Sequence, residues 1–174
     1  MGIERRDFPV GWDRSVPAGS GADDHSHSFV SSLKFDGARI HAASIYCSDG
    51  RVGEQIDEFL HEGLHLPRYD RLAMPGGPAC YSGGLWEGHS AERQLDFLCR
   101  VHGLERVVLI AHQGCAFYLD WLKVTPEELE QRQLDDVRKA VGRIRMAQPN
   151  LKIESYFLRR SEAQMWFDPI EVET

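Results

Sequence analysis

Two short segments of the chain place cysteine, histidine and aspartate directly after runs of apolar residues. The first is Cys47-Ser48-Asp49-Gly50-Arg51, after the run at 38–47, and the second is His112-Gln113-Gly114-Cys115, after the run at 105–112. We interpret both runs as buried strands of a parallel sheet, and such sheets bind ligands just beyond the carboxyl ends of their strands. If the two strands are neighbours, two thiolates and one imidazole meet at one edge of the sheet.

This donor set is typical of zinc. Zn²⁺ binds thiolate sulfur at about 2.3 Å and imidazole nitrogen at about 2.0–2.1 Å in tetrahedral geometry. Three protein ligands, Cys47, His112 and Cys115, would leave the fourth position open, as in catalytic rather than structural sites. The alternative is that both cysteines are buried core residues and the histidine belongs to a turn. On residue types alone, both interpretations stay open.

Asp49 and Arg51 favour the metal site. A carboxylate two residues from a thiolate ligand can reach the metal or its bound water, and Arg51 can keep this carboxylate ionised through a bidentate ion pair. The alternative is an ordinary Ser-Asp-Gly turn before a helix. Cys80 and His89, in a stretch between two predicted elements, are either additional ligands or parts of a plain loop.

The apolar pattern predicts the elements that position these residues. We predict four strands, at 38–47, 69–74, 105–112 and 151–159, and an antiparallel or edge strand within 162–172. We predict three long helices, at 51–63, 90–103 and 125–149, the last with Thr125 as its cap. Phe29, Val30 and Leu33 predict a short helical stripe. Alternating strands and helices indicate an α/β fold, with a mainly parallel β-sheet flanked by helices and a C-terminal edge strand.

Length and composition limit the function classes. With 174 residues we expect one domain, 26–174, preceded by an N-terminal arm at 1–25. The net charge of −7 argues against general nucleic-acid binding, which needs an excess of Lys and Arg. No apolar run is long enough for a transmembrane helix, and the N-terminus lacks the apolar region of a secretory signal, so we expect a cytoplasmic protein.

The two motifs together resemble those of the β-class carbonic anhydrases. The resemblance rests on Cys47-x-Asp49-x-Arg51 followed by His112-x-x-Cys115, and it extends over roughly residues 38–160. The chain departs from the family pattern at three places. Gly50 stands where the family usually has Ser, Ala116 stands where it has Gly, and 73–77 keeps only the glycine end of the family's Arg-Asn-Ala-Gly segment.

The resemblance implies a zinc lyase that reversibly hydrates carbon dioxide to bicarbonate through zinc-bound hydroxide. It implies Cys47, His112 and Cys115 as the metal ligands, and Asp49 and Arg51 as catalytic residues. Asp49 would accept a hydrogen bond from the hydroxide or, in a closed state, fill the fourth zinc position. The resemblance also implies a homodimer or a higher homo-oligomer. The alternatives are a related zinc hydrolase acting on carbonyl sulfide or carbon disulfide, and a catalytically silent zinc-binding homologue.

Overall fold

The structure is a computed structural model that describes residues 28–82 and 88–172, and the chain divides into two compact units, Met1–Arg39 and Ile40–Thr174. The predicted arm at 1–25 and the side chain of His89 lie outside the described residues. The helical stripe predicted at Phe29, Val30 and Leu33 is wrong. Residues 28–39 form neither helix nor strand, and these three side chains are 95%, 66% and 83% exposed. Three apolar residues cannot offset the cost of nucleating a helix.

The described part of the second unit is built on a sheet of five strands in the order β2-β1-β3-β4-β5. The strands are β1 (Ala42–Cys47), β2 (Asp70–Met74), β3 (Arg106–His112), β4 (Lys152–Arg160) and β5 (Met165–Pro169). The first four run parallel, and β5 pairs antiparallel with β4 at the edge of the sheet. This confirms the predicted α/β fold with a mainly parallel sheet and an antiparallel C-terminal edge strand.

The two strands expected to carry the site are neighbours. β1 is buried at every position, and β3 at every position after its first residue, because both consist almost entirely of apolar residues. They pair in parallel, with Tyr46 opposite Ile110, so their carboxyl ends lie side by side. The structure therefore confirms that the segments after these strands share one edge of the sheet.

Within the part of the chain that the structure describes, three long helical segments cover the two faces of the sheet. They are α1 (Gly53–Glu58), which continues as a π-helical turn (Phe59–Gly63), α2 (Gly88–His102) and α3 (Leu129–Ala147). The predicted start of α3 at Thr125 is wrong. The Thr125 hydroxyl donates to the Glu128 carboxylate (3.0 Å) rather than capping backbone amides, and residues 126–128 form a turn before the helix.

Successive side chains of β3 point to opposite faces of the sheet, and each set packs against different helices. Val107 and Leu109 pack with α2 and α3, in a cluster that contains Leu95 and Val141. Val108 and Ile110 face the other way, and pack with Ile56 and Leu60 of the α1 segment. The sheet is thus the middle of three layers. The candidate site lies where the carboxyl ends of its parallel strands meet. Within the described residues, no helix has the length and apolar character needed to cross a membrane.

Candidate metal centre

The structure brings together the three side chains that the sequence singles out as metal ligands. Cys47 is the last residue of β1 and His112 the last of β3, and Cys115 follows a tight turn. Their donor atoms all lie within 4.8 Å of one another, and all three residues are buried. The Sγ atoms of Cys47 and Cys115 are 3.7 Å apart.

This geometry fits a tetrahedral zinc ion. Two sulfur ligands at about 2.3 Å from such an ion lie about 3.8 Å apart, close to the separation of the two thiols here. His112 donates from Nδ1 to the carbonyl oxygen of Gln113 (3.2 Å), which leaves the lone pair on Nε2. Nε2 is buried and has no hydrogen-bond partner in the described part of the chain. Since buried polar atoms are seldom left unpaired, this nitrogen is suited to a metal.

The thiols of Cys47 and Cys115 form a hydrogen bond with each other. This bond and the nearby His112 lower the pKa of Cys47, although burial opposes the shift. The same hydrogen bond, together with burial, holds the pKa of Cys115 well above its usual range. The coupling favours a pair that loses its first proton readily and keeps its second, and binding of a cation by both sulfurs as thiolates would release that second proton.

Asp49 and Arg51 form the ion pair expected from their spacing. Arg51 donates from Nε to both carboxylate oxygens of Asp49 (2.9 and 3.1 Å), and its backbone N–H donates to Oδ1 (3.0 Å). These bonds from Arg51 lower the pKa of Asp49 to about 2, so the carboxylate is ionised at all physiological pH values. The Asp49 side chain is 16% exposed and the Arg51 side chain 67%, so the charged guanidinium faces solvent.

A cavity of about 510 Å³ opens onto Cys47 and Asp49. Its wall includes Pro75, Phe117 and Trp121, and the rings of Phe117 and Trp121 stack with centroids 6.3 Å apart. The cavity therefore combines an apolar wall with a carboxylate and a thiol.

The segment after β2 approaches the site so closely that only glycine fits. Gly77 has a φ of 56°, and a Cβ there would lie 2.9 Å from the backbone nitrogen of Cys47. A Cβ on Gly76, where φ is 73°, would lie 2.4 Å from the ring of Phe117. The glycine end of this segment is thus the part that contacts both Cys47 and the cavity wall.

Cys80 does not join the three side chains of the candidate metal site. It is buried in the main core, whereas Cys47 and Cys115 pack in a separate cluster at the carboxyl ends of the strands. Among the described residues, the group of side chains that could hold a metal consists of Cys47, His112 and Cys115. The predicted role of His89 as a further ligand lies outside the described side chains.

Comparison with known proteins identifies the family. Residues 38–166 match the model of a family described as "Putative carbonic anhydrase". The chain belongs to this carbonic anhydrase family. Matching solved structures include a β-carbonic anhydrase from Trichomonas vaginalis (15% identity, TM-score 0.47, covering 82% of this chain and 89% of that one). Another is the β-carbonic anhydrase CafA of Aspergillus fumigatus (16% identity, TM-score 0.41, 76% of each chain). No curated protein matches, and the assignment rests on the family model.

Two polar residues of α3 that bind the segment at 112–118 of this carbonic anhydrase family member are not part of the sequence motifs. Gln133 donates from Nε2 to the carbonyl oxygen of His112 (2.9 Å), and Asp136 accepts a hydrogen bond from the Tyr118 hydroxyl (3.1 Å). The sequence could have indicated them by their position, because both are polar residues at helical spacing on the buried stripe of α3, next to Val137.

Proposed function

We propose that this chain is a zinc-dependent carbonic anhydrase, a lyase that reversibly hydrates carbon dioxide to bicarbonate. The observation that carries the proposal is the group of Cys47, His112 and Cys115 donor atoms within 4.8 Å of one another, beside the Asp49 carboxylate. Membership of the carbonic anhydrase family supports the same reaction.

The ligand residues suit a divalent cation by charge as well as by distance. As thiolates, Cys47 and Cys115 carry two negative charges, which offset the charge of Zn²⁺, while the Nδ1 hydrogen bond of His112 fixes the tautomer that exposes Nε2. When bound, zinc supplies Lewis acidity that makes water a nucleophile near neutral pH.

Asp49 is proposed to orient the attacking water. It lines the cavity and is kept ionised by Arg51, so it can accept a hydrogen bond from the water and direct the remaining lone pair at the carbon of the substrate. Arg51 would also attract the bicarbonate product towards solvent, since its guanidinium is exposed at the cavity rim. In a closed state, Asp49 itself would fill the fourth metal position.

The apolar wall formed by Pro75, Phe117 and Trp121 suits a small, linear and uncharged substrate. Carbon dioxide has these properties, and so do carbonyl sulfide and carbon disulfide. The test must therefore compare all three, and it must also detect a zinc-binding protein that turns over none of them.

The experiment combines metal analysis with stopped-flow hydration assays on the purified protein. We expect one zinc per chain and carbon dioxide hydration in the wild type, and loss of both in Cys47→Ser, His112→Ala and Cys115→Ser. Cys99→Ser is the matched control, because Cys99 packs against the main core away from the metal group and should keep zinc and rate. Full zinc content in a ligand variant would refute the ligand assignment. A zinc-loaded wild type that turns over only the sulfur compounds, or none of the three, would refute the hydratase.

A further inference from the structure

Helix α3 buries two polar side chains on a stripe that otherwise packs apolar residues against the sheet. Gln133 is 1% exposed and Asp136 is fully buried. The apolar residues of the same stripe are Leu129, Val137, Ala140, Val141 and Ile144. Both polar side chains point to the segment between His112 and Tyr118, which contains two of the proposed metal ligands.

Gln133 binds the backbone of the first of these ligands. Its Nε2 donates to the carbonyl oxygen of His112 at 2.9 Å. The pairing of β1 with β3 ends at Tyr46 and Ile110, two residues before His112, whereas β4 still pairs with His112 through Leu158. The side chain of Gln133 therefore adds a hydrogen bond from α3 to a strand end that the sheet holds on one side, and so helps to fix the backbone that carries the imidazole.

Asp136 binds the other end of the same segment. Its Oδ2 accepts hydrogen bonds from the Tyr118 hydroxyl (3.1 Å) and from Nε of Arg132 (3.0 Å). The backbone amide of Tyr118 in turn donates to the carbonyl oxygen of Cys115 (3.2 Å). A chain of two hydrogen bonds thus links α3 to the residue that carries the second thiol.

Stability alone does not explain these residues. Gln133 Oε1 and Asp136 Oδ1 are buried without a hydrogen-bond partner among the described residues, although the Lys139 ammonium lies 3.8 Å from the latter. Each such atom lowers the stability of the folded state through its desolvation, a cost that an apolar side chain of the same size would avoid. A functional reason for keeping both polar groups is therefore needed.

We propose that Gln133 and Asp136 are positioning residues that hold His112 and Cys115 at metal-binding separation. This proposal rests on the zinc site proposed above. The two side chains lie one helical turn apart on α3 and bind the two ends of the segment that carries His112 and Cys115. In this arrangement the rigid helix, rather than the turn between His112 and Cys115, sets the distance between these two ligands.

The test starts from the zinc-loaded protein and measures the zinc dissociation constant by competition with a chromophoric chelator. Gln133→Met removes the hydrogen-bond donor at nearly unchanged side-chain size, and Asp136→Ala removes both oxygens that could accept from Tyr118. We expect each to weaken zinc binding by about 10-fold or more, and to shift the visible spectrum of the Co²⁺-substituted protein. The matched controls are Gln131→Met and Asp135→Ala. Gln131 and Asp135 lie on the outer side of the same helix, where they are hydrogen-bonded to each other, so both variants should bind zinc as the wild type does.

Tyr118→Phe provides a second variant in case one of the buried substitutions prevents folding, because it removes only the hydroxyl that Asp136 binds. It too should weaken zinc binding. Unchanged zinc affinity and an unchanged cobalt spectrum in the folded variants would overturn the positioning role, because a merely structural residue lowers the Tm of metal-free and zinc-loaded protein alike. A wild type that binds no zinc would overturn this proposal and the proposed function together, so the two failures are distinguishable.

Discussion

Replacing Gly77 with alanine tests whether the loop after β2 fixes the position of Cys47. The new Cβ would lie 2.9 Å from the Cys47 nitrogen and 2.9 Å from the carbonyl carbon of Tyr46. It would also lie 3.2 Å from the carbonyl oxygen of Ile110. All three are backbone atoms at the ends of buried strands, so they cannot move aside as a flexible side chain would.

The magnitude follows from two separate costs. At a φ of 56°, alanine is in the left-handed region, which costs about 1–2 kcal/mol. Overpacking against the backbone adds about 1–3 kcal/mol. We therefore expect Gly77→Ala to lower the free energy of unfolding by about 2–5 kcal/mol. For a chain of this length, the Tm would fall by roughly 4–20 °C.

The assay is urea unfolding of the variant beside Gly142→Ala, with zinc content measured on both. Gly142 lies on the exposed side of α3 and a Cβ there would meet nothing within 4 Å, so this control should be more stable than the wild type by up to about 1 kcal/mol. Gly77→Ala should also lose zinc affinity, because the backbone of Cys47 must shift. Wild-type stability and full zinc affinity in Gly77→Ala would refute the reasoning.

Two other experiments address the charged groups. Asp49→Asn and Arg51→Ala should keep zinc but slow carbon dioxide hydration by about 10-fold or more in a stopped-flow assay. Loss of the metal in Asp49→Asn would show that this carboxylate acts as a ligand instead. Burial raises the pKa of Glu154, but hydrogen bonds from Lys152 and Arg106 outweigh it and hold this pKa below its usual value. The stability gained from these pairs is present above about pH 4.3 and is lost as pH falls through the lowered pKa. Glu154→Gln should therefore flatten the acid side of a plot of urea midpoint against pH, and an unchanged slope would contradict this.

Much of the fold could be predicted from local pattern. The apolar runs that became β1 and β3 are long enough to be identified as central strands, and their burial confirms the interpretation. Their ends could be identified as the site because both motifs follow a strand directly. The start of α3 could not be predicted, because Thr125 prefers the side chain of Glu128 to the helix backbone, and sequence pattern does not rank these two partners.

The supporting residues could not be predicted for a different reason. Gln133 has no motif, and its contact with His112 depends on how α3 docks against the end of β3. In the same way, glycine is needed at Gly77 because the end of β1, which is distant in sequence, comes close to it. No local sequence pattern predicts this approach. These residues act through tertiary contacts, so only the assembled fold reveals them.

The strand order has a consequence for how the site could change. The chain leaves β1 through α1 towards β2 on one side, and leaves β3 through α3 towards β4 on the other. This is a topological switch point, where two neighbouring loops diverge and leave a crevice at the carboxyl edge of the sheet. The crevice is therefore created by connectivity rather than by the metal ligands. A descendant that lost Cys47 or Cys115 would keep a binding cleft in the same place, open to a different chemistry.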